Sequence, residues 1–231
     1  MIWQLIVVAI VAYLLGSVNL SIIISKLMGK GDIRNYGSGN AGTTNTLRTL
    51  GKLPAAAVLI WDILKGVISV VLAKWIITLG NGTIDSNLVA EYRDYAIVVA
   101  AIMSVLGHNF PIYFGFKGGK GVATSLGVIM AIEWWPIAIV CLVFGVVMIL
   151  VTRTVSIGSI LAAILYPILA YFAGTEFHNE LVYLGLALVL SGSILFRHRA
   201  NIKRIMNGTE NKIWKTKAEK QAELKAKSEQ N

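Results

Sequence analysis

The chain has 231 residues, 56% of them hydrophobic and only 14% charged, with a net charge of +9 and a mean hydropathy of +0.69. Soluble domains carry nearer a quarter charged residues, so composition points to an integral membrane protein and leaves no room for a separate soluble domain. A single cysteine, Cys141, lies in an apolar run; it excludes an internal disulfide and cannot hold zinc alone, and the three histidines lack ligand spacing, so no metal site is expected.

Apolar segments predict helical spans at Ile2–Leu27, Leu53–Leu79, Tyr95–Tyr113, Gly121–Ile132, Trp134–Thr152, Val155–Ala173 and Leu181–Phe196. Most approach the ~20 residues that a bilayer demands, and the fourth is short. The first begins without a basic region and is longer than a leader's apolar core, so it reads as a retained span. The loop after the first span carries Lys30, Arg34, Arg48 and Lys52 against Asp32. The next carries Asp85, Glu91 and Asp94 against Arg93, and the third Lys117 and Lys120. Glu133, then Arg153, then Glu176 and Glu180 mark the following three, and from Arg197 onward ten Lys/Arg stand against four Glu. Basic and non-basic loops alternate throughout. The positive-inside rule then predicts an all-α polytopic protein with seven transmembrane helices, the N-terminus outside and the C-terminus cytoplasmic. Residues 1–210 form one seven-helix membrane domain. Residues 211–231 form a basic cytoplasmic tail suited to anionic head groups rather than nucleic acid.

This orientation gathers four polar stretches on the cytoplasmic side: "GSGNAGTTN", "FGFKGGKGVATS", "TRTVSIGS" and "RHRANIKR". In the first, Gly37, Gly39 and Gly42 match G-x-G-x-x-G, but membrane helices flank it where a dinucleotide fold needs a preceding strand. What remains is the physics of an anion nest: glycine turns that expose N–H groups, here Gly39 beside Ser38 and Asn40, with Thr44, Asn45 and the guanidinium of Arg48 close by. In the second, Gly118, Gly119 and Lys120 precede a helix start, where free N–H groups and the dipole favour phosphate. Gly121 follows Lys120, so this is not a nucleotide P-loop.

Further candidates are single residues. Ser156 and Ser159 share a helical face beside Arg153 and suit either a phosphate or a helix cap. His198 and Asn201 lie three apart on one face of a helix that continues past the last span, where an imidazole can exchange a proton near neutral pH. His108 before Pro111 reads as a structural histidine. Asp62 and Lys65 lie inside the second span and read as an internal ion pair. Neither the G-x-S-x-G elbow nor a His-x-x-x-x-Asp acyltransferase pattern is present.

Together "GSGNAGTTNTLR", "GHNFPIYFGFKGGKGVAT", "RTVSIGS" and "RHRANIKRIMNGTE" resemble the bacterial PlsY family of membrane acyl-phosphate:glycerol-3-phosphate acyltransferases. The likeness runs from "GSVNLSIIISK" to Glu210, with Asn19 where the family has proline and Thr43 where it has alanine. It implies transfer of a fatty acyl group from acyl phosphate to the 1-hydroxyl of glycerol 3-phosphate, giving lysophosphatidic acid, in the first acylation of bacterial phospholipid synthesis. It implies a site facing the cytoplasm from the plasma membrane, with no cofactor. Acyl phosphate and glycerol 3-phosphate would be the substrates, the lipid bilayer the surroundings, and the enzyme that makes acyl phosphate a partner. Ser38, Arg48 and Lys120 would hold phosphate groups. His198 and Asn201 would contact the glycerol, with Ser156 or Ser159 nearby. The competing reading is a transporter for a small organic anion or phosphate ester, since glycine-rich breaks and a short span also occur there.

Overall fold

The computed structural model describes residues 1–79, 86–132, 135–173 and 180–214, and these are helical with no strand among them. The helices are α1 (Ile2–Ser17), α2 (Leu20–Leu27), α3 (Thr43–Thr49), α4 (Lys52–Ile76), α5 (Ser86–Asn109), α6 (Val122–Ala131), α7 (Trp135–Thr152), α8 (Val155–Ala173), α9 (Glu180–Arg197) and α10 (Arg199–Met206). Among the described residues, five stretches are long and apolar enough to cross a bilayer: Ile2–Leu27, Lys52–Ile76, Tyr92–Phe114, Trp135–Thr152 and Val155–Ala173. A sixth follows if α9 and α10, bent by 59°, count as one span. The expected short fourth span is the ten-residue α6. Trp134, most of the basic tail and the acidic residues Asp85, Glu133 and Glu176 lie outside the described residues.

The surface is inverted relative to a soluble protein. Ile139, Val143, Val147, Leu150 and Val151 on α7 are 47–71% exposed. Such a band would aggregate in water and is what hydrocarbon solvent selects. Inside, helices approach at small residues. A Cβ on Gly16 or Gly107 would overlap backbone of the facing helix in the α1–α5 contact, and one on Gly66 or Gly127 would do so between α4 and α6. Without a strong hydrophobic drive between helices in lipid, this close backbone approach supplies the packing.

The first span is broken. Asn19 stands at the break and caps α2, accepting from the N–H of Ile22 (3.3 Å) and the hydroxyl of Ser21 (2.8 Å) while donating to the carbonyl of Ala41 (3.3 Å). Such a cap is worth about 1 kcal/mol. The break frees the carbonyl of Val18, which accepts from Trp61 Nε1 (3.0 Å) and Lys65 Nζ (3.3 Å). Lys65 also pairs with Asp62 at 2.8 Å, and His108 Nδ1 lies 3.3 Å from the same Asp62 oxygen. The expected Asp62–Lys65 pair therefore forms and gains His108 as a third, fully enclosed member. The expected straight continuation past the last span does not form: the chain bends at His198, and α10 starts there. Arg199, Lys203 and Arg204 give α10 three cations in eight residues, a charge density that hydrocarbon disfavours.

Candidate active site

One end of the bundle collects every polar segment singled out above, and each is held in shape by its own chemistry. In the first loop Asp32 caps a 3₁₀ turn over Ile33–Asn35 and pairs with Arg34 at 2.6 Å. Arg34 then donates to the carbonyls of Phe114 and Lys117, 2.7 Å each, tying this loop to the next. Gly37 and Gly39 take positive φ, +59° and +71°. Asn45, fully buried, closes the loop from within. Its side-chain oxygen accepts the N–H of Ser38 (2.8 Å), and its amide donates to the carbonyls of Ile33 (3.1 Å) and Tyr36 (3.0 Å). A Cβ on Gly37 would overlap Asn45 Oδ1, so glycine is required there twice over, by φ and by space.

The second loop lies against the end of α5. The N–H of Gly118 donates to the Asn109 carbonyl (3.1 Å) and that of Gly119 to the His108 carbonyl (3.0 Å). A Cβ on Gly118 would overlap the His108 carbonyl, and one on Gly119 would overlap the His108 ring. From the other side Arg197 donates to the carbonyls of Gly119 (2.8 and 3.0 Å) and Gly118 (3.2 Å) and stacks over Phe110. The strand of backbone that carries Lys120 is thus clamped between His108 and Arg197. Gly121, at φ +81°, turns it into α6.

The third element is the return after α10. Gly208 at φ +67° ends the helix, with its N–H on the Ile205 carbonyl (3.0 Å) and that of Thr209 on the Arg204 carbonyl (2.8 Å). This is a Schellman closure, and it folds Glu210 back onto the helix it has just left.

These three elements and the start of α8 build one hydrogen-bonded cluster. Lys120 Nζ donates to Asn201 Oδ1 at 2.7 Å. Asn201 Nδ2 reaches Ser156 Oγ (2.8 Å) and Glu210 Oε1 (2.7 Å). Ser156 donates to the same Glu210 oxygen at 2.6 Å, and Arg204 Nε pairs with Oε2 at 2.7 Å. Burial pulls Lys120 down to about 8, partly offset by the Glu210 carboxylate, so it stays mostly protonated at pH 7. Burial would raise Glu210, but the hydrogen bonds from Ser156, Asn201 and Arg204 outweigh it and hold the carboxyl below its usual range. His198 is buried, with Nδ1 2.8 Å from the Ile194 carbonyl. Burial and the neighbouring Lys120 charge pull it down to about 4. A carbonyl only accepts, so Nδ1 carries the hydrogen and Nε2 keeps its lone pair.

Of the residues expected from the sequence, Lys120, Ser156 and Asn201 meet directly. His198 sits beside Lys120, and Arg48 is exposed on α3, 3.4 Å from the carbonyl of Asn211, at the margin of the cluster. Gly39, Asn40 and Gly118 instead line an adjoining polar cavity with Arg34, Lys117 and Arg197. Ser38 is exposed at the tip of its loop, and Thr44 is half-buried in the first turn of α3. Ser156 and Ser159 part company: Ser159 lines an apolar cleft between α6, α7 and α8. Glu210, Arg204 and Arg197 were not foreseen as site residues. The lone acid of "NGTE" in a basic segment was the available signal.

The cleft begins where the cluster ends. Val122 and Ser159 stand at its near end, and it runs between the helices past Gly145, Val146 and Ala162 to Ile129, Cys141 and Tyr166. A charged, donor-rich cluster thus adjoins an apolar slot, with Ser156 in the one and Ser159, one turn further along α8, in the other.

Comparison with known proteins identifies relatives of the chain. The family model for glycerol-3-phosphate acyltransferase matches residues 6–208. A protein of that name from Shouchella clausii is 47% identical, over 94% of this chain and 100% of the relative. One from Clostridioides difficile is 42% identical, over 94% and 98%. A crystal structure of PlsY, an integral membrane glycerol 3-phosphate acyltransferase, in its glycerol 3-phosphate form matches with a TM-score of 0.78 at 36% identity, covering 91% of this chain and 96% of that one. Its lysophosphatidic acid form matches with a TM-score of 0.75 at 35% identity, over 91% and 95%. The chain belongs to the glycerol-3-phosphate acyltransferase family.

Proposed function

We propose that this protein transfers a fatty acyl group from acyl phosphate to the 1-hydroxyl of glycerol 3-phosphate, releasing lysophosphatidic acid and phosphate. The observation that carries the proposal is the junction of the Lys120–Asn201–Ser156–Glu210 cluster with the apolar cleft. A phosphate and a hydrocarbon tail on one donor molecule need such a junction, at the depth where lipid meets water. The family membership supports the same reading.

Acyl phosphate is a mixed anhydride and is already activated, so no covalent acyl-enzyme is needed. The glycerol oxygen attacks the carbonyl carbon, the new C–O ester bond forms, and the bond from carbon to the phosphate oxygen breaks. Lys120 and Arg48 are the cations for the two phosphate groups, and positioning the hydroxyl near the carbonyl supplies most of the acceleration. Ser38, Gly39, Asn40, Thr44, Asn45, Gly118 and Gly119 shape and line the basin around these anions. Asn201 and Ser156 orient the glycerol. His198 offers Nε2 to a substrate hydroxyl, but a buried imidazole beside Lys120 is a poor place to leave a positive charge. The hydroxyl proton therefore ends on a substrate phosphate oxygen. No step calls for a metal or a cofactor.

The reading includes seven crossings, with α6 the short fourth, the N-terminus outside, and the site on the cytoplasmic face of a bacterial plasma membrane. The alternation of basic loops supports this, as does the packing of α6 between α4 and α7. A basic tail on that face suits anionic lipid, and the enzyme that makes acyl phosphate is the natural source of substrate. The polar groups gather at one end of the bundle, which favours chemistry at the interface over the transporter alternative.

The test is transfer by purified protein in lipid, with labelled glycerol 3-phosphate, palmitoyl phosphate or palmitoyl-CoA, and EDTA. Labelled lysophosphatidic acid from palmitoyl phosphate alone is the expected result. Folded protein that yields no product from either donor would sink the proposal.

A further inference from the structure

We propose that the far end of the apolar cleft, closed by Ile129, Cys141 and Tyr166, sets the length of acyl chain that the protein accepts. The inference rests on the acyl-transfer reading and concerns the substrate's tail rather than its reacting end.

The slot has one polar end and one closed end. At the polar end, Ser156 belongs to the cluster while Ser159, one turn further along α8, already faces the cleft. From there the cleft follows α8 inward past Ala162 and Ala163, whose small side chains leave the space open. It stops at Tyr166 from α8, Cys141 from α7 and Ile129 from α6, each at most 6% exposed. Beyond them Ile132, Ile137, Ala138 and Ala170 are packed into one continuous buried cluster with the same three residues. On the outer side Leu142 and Val146 are 47% and 44% exposed, so one wall of the slot is also part of the lipid-facing surface.

Depth identifies the occupant. Ser159 at the near end and Tyr166 at the floor are seven residues apart on one helix, about 10 Å at 1.5 Å per residue, which is about a third of the roughly 30 Å hydrocarbon thickness of a bilayer. A slot that reaches from the polar cluster well into one leaflet, apolar along its length and adjoining a phosphate-sized basin, fits the tail of a membrane-lipid fatty acid. A closed floor discriminates by length because a longer chain must displace packed side chains or leave the slot sideways into lipid.

The experiment measures rates with lauroyl, myristoyl, palmitoyl and stearoyl phosphate for the wild type and two variants. Ala162→Leu fills the slot part-way down and should move the lauroyl-to-palmitoyl rate ratio roughly tenfold toward lauroyl, the discrimination one or two methylenes give in an apolar pocket. Tyr166→Ala deepens the floor and should move preference by a similar factor toward stearoyl phosphate. Ile129→Ala opens the same floor with a smaller loss of packing and replaces Tyr166→Ala if that variant does not fold. Folded, active variants with the wild-type chain-length profile would overturn the inference and leave acyl transfer standing. A wild type that uses no acyl phosphate of any length would overturn acyl transfer itself, and this inference with it.

Discussion

Glu210→Gln tests the cluster where it is most specific. The substitution keeps the shape and an oxygen for Ser156 and Asn201 to donate to, but removes the negative charge. Two 2.7 Å hydrogen bonds, one on each side of the Asn201 amide, separate Lys120 Nζ from Glu210 Oε1. With the amide between them the charges are roughly 7 Å apart, an attraction of about 0.6 to 2.4 kcal/mol for effective dielectrics between about 80 and 20. At 1.36 kcal/mol per unit, that is roughly half to two units of pKa. The Glu210 carboxylate is one of the groups that hold the Lys120 ammonium up at about 8 against burial. Removing it lowers Lys120 further. A lysine that must be a cation to hold phosphate is lost as pH rises through its pKa, so the alkaline limb of kcat/KM should move down by about half a unit or more. The assay is initial-rate acylation from pH 6 to 10 with saturating palmitoyl phosphate and varied glycerol 3-phosphate. An alkaline limb that stays in place, or moves upward, in a folded Glu210→Gln protein would refute the coupling of Glu210 to Lys120.

Lys120→Ala and Arg48→Ala should each abolish turnover in protein that still folds and inserts; wild-type rates in both would remove them from the phosphate role. Gly119→Ala places a methyl against the His108 ring and shifts the Lys120 strand, so KM for glycerol 3-phosphate should rise at least tenfold with modest change in melting temperature, and an unchanged KM would refute the clamp. Asp62→Asn leaves Lys65 enclosed without its counter-charge, which costs about 3 to 5 kcal/mol. A thermal melt should show a large loss, and a melt within a few degrees of wild type would show that the Val18 carbonyl alone satisfies Lys65.

The polar stretches were legible because lipid makes them conspicuous. In a chain this apolar, "GSGNAGTTN" and "FGFKGGKGVATS" serve no core, and only a ligand or a tight turn justifies them. Sequence could not distinguish residues that line the basin from residues that build it. Asn45 is a case in point. It looks like a donor to a ligand, yet its side chain bonds within its own loop, to Ser38, Ile33 and Tyr36. Ser156 and Ser159 lie on one helical face and could not be told apart from spacing. They separate because the Glu210 return covers the first and the α6–α7 gap exposes the second. Glu210 stood out in its basic segment but its role did not: its partners Ser156 and Asn201 are 54 and 9 residues away in sequence, and only the turn at Gly208 brings it home.

By itself the sequence determined the solvent, the helical class, and which segments are too polar for the bilayer interior. Those follow from local composition, because each residue's preference for hydrocarbon or water acts wherever the residue lies. The tertiary structure decided the bend at His198, the third member of the Asp62–Lys65 pair, the clamp of His108 and Arg197 on the Lys120 strand, and the floor of the cleft. Each depends on groups far apart in the chain meeting at one distance and angle, and hydrogen bonds and close packing are sensitive to those quantities in a way that composition and period do not encode.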